Sequence, residues 1–111
     1  MTDAAGATRE PANRRRVSAA QPTVMADNDQ VRITTWTFDV DGAATGQHRH
    51  EFDYVVVPVT GGTFTVIDVD GSVREMTQTA GTPYLGTAGT AHDVVNASGK
   101  TAVFVEIELK R

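Results

Sequence analysis

The sequence predicts a small all-β barrel or sandwich. No window of helical length repeats apolar residues at 3.6-residue spacing. Short runs rich in Val, Ile, Thr and aromatic residues recur along the chain. Turn residues (Gly, Asp, Asn, Ser) punctuate those runs at regular intervals. At 111 residues, 40% apolar and 22% charged, the chain has the size and composition of one globular domain.

Residues 1–20 mix small, polar and charged types without periodicity and read as a disordered arm, or one ordered only by strand exchange with a partner. The domain proper is expected over 21–111. Thr23-Val24-Met25 is a short strand candidate, followed by the turn-forming Asp27-Asn28-Asp29. Val31 to Val40, with Ile33, Trp36 and Phe38, reads as a strand ended by Asp41-Gly42. A loop through Gly46 leads to a strand expected from about Gln47 to Thr60, and Gly61-Gly62 turns the chain. Phe64–Ile67 and Val73–Met76 flank Asp70-Gly71, a strong hairpin signal. Gly81, Pro83, Gly86 and Gly89 mark a loop-rich stretch. His92–Asn96 and Thr101–Leu109 are the last two strands, separated by Ser98-Gly99.

Charge and composition exclude several function classes. The net charge is −4, divided into +2 before Val17 and −6 after it. An acidic body repels phosphate backbones, so no nucleic-acid partner is expected, and Arg14-Arg15-Arg16 is a short run for such a role. The longest apolar stretch, Tyr54 to Val59, is strand-sized, so no membrane partner is expected. The absence of cysteine removes disulfides, thiolate ligands and cysteine nucleophiles. With no apolar segment near the N-terminus, a cytoplasmic location is expected.

The chemistry is concentrated in three histidines, His48, His50 and His92. Alternation puts His48, His50, Phe52, Tyr54 and Val56 on one strand face and Gln47, Arg49, Glu51 and Asp53 on the other. Two imidazoles two residues apart on a strand can converge on one ion, and His92 opens another strand that can supply a third. Only a bulge would re-aim Glu51 or Asp53 as a ligand. Asn96 shares the His92 face and is expected to hold structure through hydrogen bonds. Trp36, Phe38, Phe52 and Phe104 are expected in the core or lining a pocket.

Gly42-Ala-Ala-Thr-Gly-Gln-His48-Arg-His50-Glu-Phe-Asp-Tyr54, closed by Gly61, resembles the first motif of the cupin superfamily. Every spacing fits, with Tyr54 where that motif has glutamate. Gly81 to Asn96, containing Gly89 and His92, resembles the second motif, with Thr87 in place of proline. The flanking segments are similar to a subgroup of small bacterial cupins, some carrying a β-alanine-degradation label. The resemblance implies a jelly-roll β-barrel with a divalent transition metal held by His48, His50 and His92. Fe(II) is the expected functional metal, with Ni, Zn, Mn and Co as other occupants.

Three-histidine cupins include dioxygenases, so the resemblance implies a dioxygenase acting on a small anionic ligand, an enolate or carboxylate. The alternatives are a non-redox isomerase, lyase or dehydratase, and a non-catalytic ligand-binding cupin. Tyr54 is expected either to donate to a bound anion, to ligate as phenolate, or to line the barrel. If Phe104 lines the barrel, Glu106 is expected to orient a metal-binding histidine. By analogy with the family, a homodimer is expected.

Overall fold

A computed structural model describes residues 18–111. The expected N-terminal arm lies mostly outside them. Its last residues are part of the fold: Ala19 bridges Ala44 in parallel and Ala20 is buried. No helix occurs among the described residues.

Nine strands are β1 (Gln21–Asp27), β2 (Val31–Phe38), β3 (His48–Arg49), β4 (Asp53–Pro58), β5 (Gly62–Asp68), β6 (Val73–Gln78), β7 (Tyr84–Gly86), β8 (Ala91–Asn96) and β9 (Ala102–Leu109). They form a five-stranded sheet, ordered β1-β2-β9-β4-β7, and a four-stranded sheet, ordered β3-β8-β5-β6. Every pairing between these strands is antiparallel. This is the jelly-roll arrangement that the motifs imply, with a core between the sheets.

The core forms where alternating apolar residues of both sheets meet. Phe38 from β2 and Phe64 from β5 are fully buried, and Phe104 from β9 completes a triangle with centroid separations of 5.2, 5.4 and 5.7 Å. Val56 and Val94 extend it toward the histidines. The β5–β6 hairpin turns at Asp70-Gly71 as the sequence signals. Gly71 adopts φ 89°, which a side chain disfavours, and Asp70 Oδ1 accepts the Ser72 N–H at 2.9 Å.

Two expectations need correction. The strand expected from Gln47 to Thr60 is broken. Its first part, β3, pairs with β8 in the four-stranded sheet, and its second, β4, pairs with β9 and β7 in the other. A chain that walls both sheets has to cross between them, and residues 50–52 make the crossing. The stretch read as loop between Gly81 and Gly89 contains β7, which pairs along β4 through Gly86↔Tyr54 and Tyr84↔Val56. Its glycines and proline masked a strand three residues long.

Asn96 ties the loops at one end. Its Nδ2 donates to Val40 O at 3.0 Å and Lys100 O at 2.6 Å, while its Oδ1 accepts from Ser98 N at 3.0 Å. The side chain is 1% exposed. Replacing Asn96 with Leu removes three hydrogen bonds to part-buried backbone groups, each worth about 0.5–1.5 kcal/mol. Asn96→Leu is therefore expected to lower the melting temperature by several degrees or prevent folding, as checked by thermal denaturation.

Candidate metal centre

The histidines meet where the two sheets approach. His48 and His92 are directly opposed in the β3–β8 register. His50 follows one residue beyond β3. Its backbone N–H donates to Thr90 O at 2.8 Å, and its carbonyl accepts from Gly89 N at 2.8 Å. These bonds hold the crossing segment against the chain that leads into His92.

The three Nε2 atoms converge. His48 Nε2 lies 3.1 Å from His50 Nε2, which lies 3.2 Å from His92 Nε2, and one ligating atom from each ring falls within 4.8 Å of the others. The far side of one ring fixes its tautomer. His48 Nδ1 lies 2.8 Å from the Gly46 carbonyl, which can only accept, so Nδ1 carries the hydrogen. His50 Nδ1 faces Glu106 Oε2 at 3.3 Å, a close approach of ring and carboxylate.

The Nε2 atoms of His48 and His50 face each other across 3.1 Å, close enough to share a proton or to ligate one metal ion. With bonds of about 2.1 Å to a common ion, nitrogens at these separations subtend roughly 95–100°, within the range of metal coordination. His92 suits the same role. Burial, then the neighbouring His48 and His50, push its pKa down to about 4, so it is neutral at pH 7. The donor set therefore fits a divalent transition metal.

Glu106 is an orienting carboxylate in the sequence only on the condition that Phe104 lines the barrel, and is otherwise near the surface. It is 6% exposed, and its Oε1 accepts the Trp36 indole N–H at 2.9 Å while Oε2 faces His50. The sequence marks Trp36 only as core or pocket lining. Its bond to Glu106 was not legible, because nothing local in the sequence aligns residues 70 apart.

Tyr54 occupies the glutamate position of the motif and packs as an aromatic plate. Its ring stacks on His50 with centroids 3.8 Å apart and planes 16° from parallel. Gly86 covers its other face, and a Cβ there would overlap the phenol ring. Burial raises the Tyr54 pKa, which keeps the phenol protonated. Glu51 and Asp53 are exposed, and neither belongs to the histidine cluster. Asp53 instead accepts the Ala88 N–H at 2.8 Å. Phe52 is half-buried and lines no described cavity.

A cavity of about 580 Å³ opens from the histidines between the sheets. Beyond the histidines its walls are mainly apolar and aromatic, with Val56, Val66, Val94, Phe104, Met76 and Tyr84. Gln78 Nε2 donates to the Tyr84 hydroxyl at 2.9 Å, and Arg74 also lines this space. A second pocket of about 340 Å³ approaches the histidines from the side of β1 and shares Trp36, His48, His50 and Glu106 with the first.

No protein-family model matches the chain. A curated relative, the β-alanine degradation protein BauB of Pseudomonas aeruginosa, is 48% identical over 91 residues, covering 82% of this chain and 94% of that one. The crystal structure of a cupin domain from Bordetella pertussis is 41% identical with a TM-score of 0.82, covering 87% of this chain and 99% of that one. The polyketide cyclase RemF of Streptomyces resistomycificus shares the fold at 20% identity and TM-score 0.62, covering 86% of this chain and 70% of its own.

The depressed pKa of His92 has a measurable consequence for metal-free protein. The unfolded chain takes up this proton near pH 6.5 and the folded chain only near pH 4. The His92 contribution is thus present above pH 6.5 and lost progressively as pH falls toward 4. Melting temperatures of the metal-free protein are expected to fall across that window, and His92→Gln is expected to flatten the dependence. An equal slope in both proteins refutes the assignment.

Proposed function

The chain belongs to the cupin superfamily, and on that premise we propose that it is a metal-dependent enzyme whose His48, His50 and His92 hold a divalent transition metal and present it to a small anionic ligand. The observation that carries this reading is the convergence of the three Nε2 atoms, with His48 Nδ1 committed to Gly46 and His50 Nδ1 facing Glu106. Fe(II) is the proposed functional metal and dioxygenation the proposed reaction class. A bound Fe(II) supplies open positions at which an enolate or carboxylate and O₂ meet.

The chain's own residues prepare that site. Three neutral donors leave a divalent charge largely uncompensated, which favours an anionic ligand. Glu106 stands beside His50 Nδ1, where its carboxylate favours a hydrogen on that nitrogen and leaves Nε2 as the donor to the metal. Trp36 holds the other carboxylate oxygen, so Glu106 stays aimed at His50 rather than turning inward as a ligand. Tyr54 restrains the His50 ring by stacking and offers a protonated phenol as donor to an anion in the cavity. The apolar walls exclude water around the bound ligand. The name of BauB refers to degradation of β-alanine, a small molecule with a carboxylate, which agrees with a small anionic ligand here.

We also assign a homodimer. Ile33, Ile107, Val55 and Leu85 form one row across β2, β9, β4 and β7 on the outer face of the five-stranded sheet. Leu85 is 78% exposed, and a second copy would bury this row. A cytoplasmic setting accords with a chain in which no described helix is long and apolar enough to cross a membrane.

Elemental analysis of protein purified without added metal is expected to find about one metal per chain, falling close to zero in His92→Ala. Retained stoichiometric metal in that variant overturns the site. Glu106→Gln is expected to weaken metal binding roughly 10–100-fold without unfolding the protein. Oxygen uptake by the Fe(II)-loaded protein with small carboxylates and 1,3-dicarbonyl acids separates dioxygenation from a non-redox reaction, which consumes none. Ile107→Glu is expected to shift sedimentation from dimer to monomer.

A further inference from the structure

Apart from the histidines, the large cavity is lined by two formally charged side chains, Arg74 and Glu106. Glu106 is already engaged by Trp36 and His50. Arg74 is the cation left to meet a ligand. It stands on β6, the edge strand of the four-stranded sheet, and shares its lining position with Met76 and Gln78 at two-residue intervals.

The guanidinium is braced from one side. Arg74 Nε donates to Asp68 Oδ2 at 3.3 Å, and neither Nη1 nor Nη2 has a hydrogen bond to a described residue. The strand register sets its distance from the histidines. Arg74 opposes Val66, which opposes Val94, two residues after His92. Standard strand spacing then separates the Arg74 and His92 Cα atoms by roughly 12 Å. Arg74 lies at the rim of the cavity and His92 lines it from β8, so their side chains narrow that gap. The positive charge of Arg74 also acts on His92, Tyr54 and Tyr84, so it shares their electrostatic space.

We propose that Arg74 is the specificity-determining residue of the cavity, receiving one carboxylate of a compact dianion, a small dicarboxylate, whose other carboxylate lies at His48, His50 and His92. The inference rests on the anion-binding reading of the histidine site and names the ligand class more narrowly. A guanidinium with its Nη groups free receives a carboxylate through two parallel bonds, which an ammonium cannot reproduce. As a surface ion pair with Asp68 alone, Arg74 contributes little to stability, so its replacement leaves folding intact.

The test uses the full chain loaded with Zn(II), which is redox-silent. Succinate and butanoate are titrated into it by calorimetry at low ionic strength. They have equal carbon number and differ by one carboxylate. Wild type is expected to prefer succinate. Arg74→Met is expected to weaken succinate binding about tenfold while leaving butanoate within about twofold, and Arg74→Lys to recover part of the loss. Unchanged succinate affinity in Arg74→Met, or an equal loss for both acids, overturns the role of Arg74. Butanoate binding that survives His92→Ala instead overturns the histidine end. Failure of wild type to bind either acid removes both.

Discussion

His50 is the point at which the two sheets are made into one object. Its backbone is paired to Gly89 and Thr90 on the approach to β8, which belongs to the four-stranded sheet. Its side chain is held by Glu106 and Tyr54, both from the five-stranded sheet. The chain crosses between sheets immediately after it. A ring fixed from both sides has little rotational freedom, so Nε2 is aimed before any ion arrives. The entropy of ordering that ligand is lost on folding rather than on binding, the condition under which a three-donor site binds well.

The same clamp explains why a carboxylate is tolerated in the interior. An unpaired buried Glu106 would be strongly destabilising. Here one oxygen accepts an indole N–H and the other faces the His50 imidazole at 3.3 Å. The glutamate that the cupin motif places among the metal ligands is absent, and an acid from β9 sits instead behind one of them. This moves negative charge from the histidine cluster to the far side of His50. An ion held there as proposed would keep its positive charge toward the cavity. Tyr54 fills the vacated position with apolar area. Gly86 is what permits it, since a β-carbon there would occupy the volume of the phenol ring.

The legibility of these features follows their range in sequence. His48 and His50 are two apart, and spacing alone pairs them on one face. His92 was identifiable because it opens a strand within a second motif, and the β3–β8 register indeed sets it opposite His48. The Asp70-Gly71 hairpin was legible because its chemistry is local. The crossing at residues 50–52 was not. Alternation continues through His48, His50, Tyr54 and Val56 as if the strand were unbroken, and only the pairing partners reveal the change of sheet. β7 escaped because three residues among glycines carry no periodicity. Glu106 was one of two open possibilities that turned on which way Phe104 faced, and the aromatic triangle with Phe38 and Phe64 decides it. Arg74 gave no signal, since a basic residue in a polar hairpin looks like any solvated strand. Its relation to the histidines exists only through two successive registers.

Electrostatics then makes one demand on the whole molecule. The residues after Arg16 carry a net charge of −6, so at long range the body repels the anionic ligand proposed for its cavity. Attraction has to act over short distances. An Arg74 braced at the rim, a divalent ion held as proposed by the three imidazoles, and a carboxylate withdrawn behind His50 would together place positive potential inside a low-dielectric cleft while the exterior stays acidic. Contacts of this kind depend on a ligand small enough to fit between arginine and histidines. Long-range attraction would admit any anion, whereas a field confined to the cleft discriminates by length and by the number of charges. Selectivity here is therefore a product of where the charges stand, and the net sign of the protein works in its favour.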